Sequence, residues 1–175
     1  LLRALTVRIL PAGSPGSGVL VKKEGNRYTV LTAWHVVSGN RPGEEFTIVT
    51  ADGKDHQLEQ GSIQRLGKVD MAVLSFTSKS SYPVASVGNS RILKGEDLIY
   101  IAGFPLSNSE NLRFESGVVV ANAGVGIDQG YQLLYTNRTS TGMSGSGIFN
   151  KNGLLIGIHG RGEEDVSATK ENQIQ

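Results

Sequence analysis

Three short contexts in this chain hold side chains that could together make a nucleophile. They are T-A-W-H-V-V around His35, D-M-A-V-L from Asp70 and T-G-M-S-G-S-G around Ser144. A serine hydroxyl is nearly inert at neutral pH. It attacks a carbonyl only when an imidazole takes its proton and a carboxylate holds that imidazole in the right tautomer. His35 suits the general base, since imidazole as a group titrates near neutrality. Asp70 opens the apolar run M-A-V-L, and a carboxylate entering a buried strand is costly unless it is hydrogen-bonded or paired. Its expected partner is the ring N–H of His35. Asp52 and Asp55 lie in a polar turn and are weaker candidates for that role. Ser144 sits in a stretch too glycine-rich for a comfortable helix or strand, as expected where backbone must approach closely or take positive φ. His56, in D-G-K-D-H-Q, has no second histidine or cysteine at ligand spacing, so neither a metal site nor a cofactor is expected.

These residues need a scaffold, and the remaining sequence reads as all-β. With 23 glycines, five prolines and many short apolar runs, the chain is punctuated like a set of strands and turns. Strands are expected at about 4–10, 18–23, 27–33, 45–50, 57–66, 71–76, 97–102, 112–121, 131–137, 146–149 and 154–159. Hairpin turns fall at Gly25-Asn26 and Asn152-Gly153. This many strands without long helical periodicity fit a barrel or sandwich. The 175 residues suit one folding unit that buries about 70% of its unfolded surface. A net charge of +1, with no basic run interleaved with aromatics, argues against a nucleic-acid partner. There is no cysteine, so stability must rest on the core. No apolar run approaches the roughly 20 residues of a membrane span. The start, Leu1-Leu2-Arg3, lacks the apolar run of a signal peptide.

The motifs resemble the chymotrypsin/trypsin clan of serine endopeptidases, in particular its disulfide-poor bacterial branch. Staphylococcal glutamyl endopeptidases and cyanobacterial trypsin-like domains are similar. The likeness spans roughly residues 16–162, and the chain order His, Asp, Ser is part of it. An α/β-hydrolase instead runs Ser, acid, His and needs G-x-S-x-G, and here Ser146 occupies the place of the second glycine. The resemblance implies two packed six-stranded Greek-key barrels with a cleft between them. The first barrel is then about 1–78, a Ser-rich linker about 77–92, the second barrel about 93–162 and a polar tail 163–175. In this family a further strand and a C-terminal helix normally follow the strand that carries G-I-H-G. The residues after 162 have too few apolar side chains for both, so the second barrel is expected to be incomplete within this sequence.

The resemblance assigns roles as well. His35, Asp70 and Ser144 become the catalytic residues, and the backbone N–H groups of Gly142 and Ser144 become the oxyanion hole. Ser140 and Ser146 lack the flanking glycine arrangement of Ser144 and are decoys, with Ser140 still a candidate to line the pocket. Met143 stands where trypsin-like zymogens carry an aspartate that pairs with a new N-terminus, which excludes activation by that salt bridge. Arg138 replaces the acid that gives trypsin its Lys/Arg preference. Thr139 and His159 match the pair with which glutamyl endopeptidases hold an acidic side chain. The bland alternative for His159 is a packing role, and Glu163, Glu164 and Asp165 could instead favour a basic residue. Substrate backbone is expected to pair with His159, Gly160 and Arg161 by strand addition. The partner implied is a peptide or protein substrate, and the setting secreted or periplasmic, with no signal peptide in this chain. The competing reading is a catalytically silent domain that serves as a protein-binding scaffold.

Overall fold

The computed structural model describes residues 1–108, 110–123 and 128–161. A single helical turn, α1 (Leu2–Leu5), precedes β1 (Thr6–Leu10), β2 (Gly16–Glu24) and β3 (Arg27–Thr32). A second turn, α2 (Trp34–Val37), leads to β4 (Thr47–Val49), β5 (Asp55–Gln57), β6 (Gln64–Arg65) and β7 (Ala72–Thr77). The remaining strands are β8 (Leu98–Gly103), β9 (Arg113–Asn122), β10 (Leu133–Tyr135), β11 (Gly147–Asn150) and β12 (Leu155–Ile158). They form a seven-stranded sheet, β5-β4-β1-β2-β3-β7-β6, and a five-stranded sheet, β10-β9-β8-β11-β12.

Alternation of side chains builds the first core. On β3, Tyr28, Val30 and Thr32 are buried while their neighbours are partly exposed, the period of two that a half-covered strand requires. On β7, Ala72, Leu74 and Phe76 face the same interior. Tyr28 stacks on Phe76 with ring centroids 5.4 Å apart. The sheet then curls on itself. Leu58 donates to Phe46 beside β4 at 3.4 Å, and the next residue, Glu59, donates to Ser75 on β7 at 2.8 Å. Consecutive residues therefore tie the two sides of the sheet together.

The second sheet has its own core, built on Ile99, Ile101, Val119, Met143, Ile148 and Ile156. A third cluster, Leu5, Val19, Ala85, Ala102, Phe149 and Leu155, draws on both sheets and holds them face to face. Between them the chain bonds to each side in turn. Ala85 N–H donates to Leu20 O, Leu155 N–H to Ser86 O and Gly88 N–H to Leu155 O, each at 2.8 Å.

The strand pattern differs from expectation in three places. The segment 57–66 is two short strands, because Leu58 and Glu59 turn across the sheet and a turn from Glu59 to Ser62 interrupts the run. The first sheet thus has seven strands, and the described part of the second has five. The first strand begins at Thr6, since residues 2–5 close a helical turn on which Thr6 Oγ1 donates to Leu2 O at 2.8 Å. The strand expected at 131–137 shrinks to Leu133–Tyr135, because Tyr131 turns away toward Asp70. The segments expected to complete the second barrel, with Glu163, Glu164 and Asp165, lie outside the described residues.

Candidate active site

His35 sits on α2, which starts as the chain leaves β3 through an extended Ala33. Trp34 packs against the first core with the Arg65 guanidinium over its ring at 5.4 Å. Anchoring that face leaves the next side chain, His35, 45% exposed at the cleft. Asp70 lies just before β7 with its side chain only 3% exposed. Its Oδ2 is 2.8 Å from His35 Nδ1, and its Oδ1 accepts from the His35 backbone N–H at 2.9 Å. The Tyr131 hydroxyl makes a short hydrogen bond to Oδ2 as well. Burial alone would raise the Asp70 pKa, but donors from the His35 ring, Tyr131 and the His35 backbone outweigh it and hold the carboxyl below its usual range. A carboxylate so held accepts from a His35 ring protonated on Nδ1, the tautomer that leaves Nε2 open.

Ser144 follows a turn shaped by Gly142, whose φ is +93°. A Cβ there would meet Leu106 N at 2.5 Å and Phe104 O at 2.9 Å, so glycine is required by space as well as by conformation. Within this loop the N–H groups of Met143, Gly145 and Ser146 donate to Ser140 O at 3.0 Å, His159 O at 2.8 Å and Met143 O at 3.0 Å. Among the described residues, the Gly142 and Ser144 N–H groups have no protein acceptor. The reason for the first is visible. Leu106 N–H holds the Thr141 carbonyl at 2.7 Å, and in a trans peptide the following N–H, that of Gly142, must point the opposite way. Met143 anchors the loop from below, fully buried in the second core. Hydrophobic packing thus occupies the position where an ion pair is excluded.

The first sheet also grips the loop. Ser17 N–H donates to Ser144 O at 2.8 Å. The Ser17 hydroxyl donates to Gly142 O at 3.2 Å and accepts from Phe104 N–H at 2.8 Å. Gly145 lies so close to β2 that a Cβ would fall 2.0 Å from Ser17 O. The Ser144 hydroxyl is directed to Gly160 O at 3.4 Å; among the described residues it does not bond to the His35 ring. Ser146 Oγ is buried with no hydrogen-bond partner among the described residues and packs against Gly103.

His35, Asp70, Thr139, Gly142, Ser144, His159, Gly160 and Arg161 all line one open cleft of about 1900 Å³ between the sheets. Asp52 lies elsewhere, bonded to Thr50 at 2.6 Å and Tyr82 at 3.0 Å. Asp55 is on β5, and among the described residues the acid bonded to His35 is Asp70 rather than either of these. His56 belongs to the Asp52 cluster, 3.0 Å from Thr50 Oγ1, and among the described residues no three His, Asp or Glu side chains are grouped to hold a metal ion. Three residues that shape the cleft carried no sequence signal: Ser17, Leu106 and Tyr131. Each acts through a partner far along the chain, where no motif spacing could show it.

Comparison with known proteins places the fold and the family. A family model described as "Trypsin-like peptidase domain" matches residues 16–158. The serine protease Do-like HtrA of Lactobacillus helveticus is 27% identical over 83% of this chain and 35% of its own length. The Do-like HtrB of Bacillus subtilis is 26% identical over 82% and 32%. Exfoliative toxin A of Staphylococcus aureus is 37% identical over 43% of this chain and 25% of its own. The chain thus spans about a third of the length of the Do-like relatives it matches. The crystal structure of Deg5 superposes with a TM-score of 0.73 at 20% identity, covering 91% of this chain and 80% of that one, a likeness of fold. With a family match that runs from β2 through β12 and takes in His35, Asp70 and Ser144, the chain belongs to the trypsin-like peptidase domain family.

Proposed function

We propose that the domain is a serine endopeptidase in which Ser144 is the nucleophile, His35 the general base and Asp70 the orienting carboxylate. The observation that carries this reading is the buried Asp70 gripping the His35 ring and backbone in the same cleft as Ser144. The Ser144 hydroxyl turns from Gly160 O to His35 Nε2, a side-chain rotation that breaks one long, weak hydrogen bond. As Oγ attacks the scissile carbonyl, its proton passes to Nε2. The imidazolium that forms is stabilised by the ionised Asp70, and the oxyanion takes the two unengaged donors, the N–H groups of Gly142 and Ser144. His35 then returns the proton to the leaving amine, and water repeats the cycle on the acyl-enzyme. Labelling with a fluorophosphonate tests this, with the adduct mapped to Ser144. The scaffold alternative draws on the resting contact of Ser144 with Gly160, and predicts no adduct.

The Leu106 contact gives the oxyanion donors their own test. Leu106→Pro removes the N–H that holds the Thr141 carbonyl and sets the ring Cδ against that oxygen, driving the carbonyl away, while it falls at the first residue of a helical turn, where proline is tolerated. Freed, that peptide can flip and turn the Gly142 N–H away from the cleft. A fall in kcat of about 100-fold, the cost of one such donor, is expected with KM little changed. An unchanged kcat would detach the 104–108 segment from catalysis.

For specificity, the reading is a preference for Glu, then Asp, before the scissile bond. Among the described residues, Arg41, Arg113, Arg138 and Arg161 line the cleft against Glu44 and Asp70; with Arg113 paired to Glu115, the remaining arginines still favour anionic side chains. Thr139 supplies a hydroxyl. His159 is buried, and its Nδ1 lies 2.5 Å from the Tyr135 hydroxyl. Burial raises the Tyr135 pKa, so the phenol keeps its proton and donates. An imidazole that accepts at Nδ1 carries a proton on Nε2, the N–H that this reading offers to a substrate carboxylate. Leaving such donors unpaired penalises other substrates strongly. In a peptide-library profile, His159→Ala should erase the acidic preference while sparing cleavage after small neutral residues. Cleavage after Lys or Arg by the unmutated domain, with Glu peptides ignored, would overturn this specificity.

A further inference from the structure

Resting on that reading of the triad, we infer that Tyr131 is a positioning residue of the catalytic site, a second-sheet side chain that completes the hydrogen bonding of Asp70 and thereby orients His35. Asp70 is almost fully buried, and a buried carboxylate needs its lone pairs satisfied. His35 supplies two donors, and the Tyr131 hydroxyl supplies the third, onto the same Oδ2 that faces the His35 ring.

The surrounding backbone is shaped to admit this phenol. A Cβ on Gly160 would lie 2.3 Å from Tyr131 Cε1 and 2.9 Å from its hydroxyl, so the ring fills the space a side chain at 160 would take. The segment before it docks on the same acid, as Asp70 N–H donates to Gln129 O at 2.8 Å. Gly130, with φ of +81°, abuts Val69, whose Cγ1 a Cβ would meet at 2.4 Å. Asp70 is thus held by its backbone and its carboxylate from one stretch, 129–131. Arg161 caps the outer face of the ring, its guanidinium 5.4 Å from the centroid. Among the described residues, the charged or titratable groups facing this acid are therefore His35, Tyr131 and, around the Tyr131 ring, Arg161 and Tyr135. Burial, and then the bond to Asp70, raise the Tyr131 pKa, so the phenol remains a donor throughout the working range.

The experiment uses Tyr131→Phe in the full chain, which keeps the ring and deletes the donor. Two readouts separate positioning from packing. The first is the far-downfield proton NMR resonance of the His35–Asp70 hydrogen bond, which needs no turnover. A carboxylate with one donor fewer holds the added proton better, so the pH at which the coupled pair takes up its proton should rise. The second is kinetics, with kcat about tenfold lower, KM within twofold of the original and the acid limb of activity moved to higher pH. Tyr131→Ala should lose more, and adding Gly160→Ser to it should restore part of the loss, because the new hydroxyl enters the vacated space beside Oδ2. An unchanged NMR titration in Tyr131→Phe overturns the inference, and so does a loss confined to KM. If the unmutated domain takes no fluorophosphonate, the endopeptidase reading fails while the NMR titration still decides the role of Tyr131.

Discussion

Ser144→Ala is expected to lower kcat by about 10⁵- to 10⁶-fold while leaving the melting temperature unchanged. The stability half follows from the geometry, because among the described residues the Ser144 hydroxyl makes one hydrogen bond, at 3.4 Å, to Gly160 O. The catalytic half follows from the proposed role, since neither neighbouring serine is placed to stand in. Ser146 Oγ is buried against Gly103, and Ser140 Oγ sits 3.5 Å from the Arg113 guanidinium. Residues acting as one unit are grossly non-additive, so the Ser144→Ala/His35→Ala pair should be about as slow as either single variant. Steady-state rates on a peptide substrate, with active-site titration to exclude contaminating enzyme, make the comparison. Near-original turnover in Ser144→Ala would move the nucleophile elsewhere.

Asp70→Asn is the second large effect, with kcat expected to fall about 10⁴-fold near neutral pH. The amide keeps the shape of the carboxylate but presents an N–H₂ donor in place of an acceptor. If that group faces His35 Nδ1, the ring proton must move to Nε2, the atom that should receive the proton of Ser144. If the amide turns over, its donors oppose the His35 backbone N–H on Oδ1 instead. A loss under tenfold would point to a different acid. Stability should change with pH in a specific sense. The folded-state pKa of Asp70 is depressed, so its contribution is fully present above the unfolded value, about 3.9, and is lost as pH falls through the folded value. Acid unfolding monitored below about pH 4 should therefore be less steep in Asp70→Asn than in the original protein.

Some of this was legible in the residues alone, because short-range chemistry is written in short-range sequence. A histidine after an apolar strand, an aspartate opening one and a serine among glycines each need a particular backbone, and neighbouring residues supply it. The strands of the first sheet follow from alternation that local side chains carry, as at Tyr28, Val30 and Thr32. The run 57–66 misled because its residues alternate tolerably well. Only the crossing from Phe46 to Ser75 shows why it must break at Leu58 and Glu59.

Tertiary structure alone decided how the cleft is held. The Ser17 hydroxyl meets Gly142 across 125 positions and Tyr131 meets Asp70 across 61. No spacing rule reaches that far, since such partners are chosen by which strands lie side by side. Leu106 contributes through its backbone N–H, a group every residue but proline has, so its identity says nothing of its part. The glycine at 160 is ambiguous in sequence, and its reason appears only when the Tyr131 ring is seen in the space its missing side chain leaves. The chemistry available to this protein thus lies in a few local motifs, while its alignment depends on long-range contacts between two sheets.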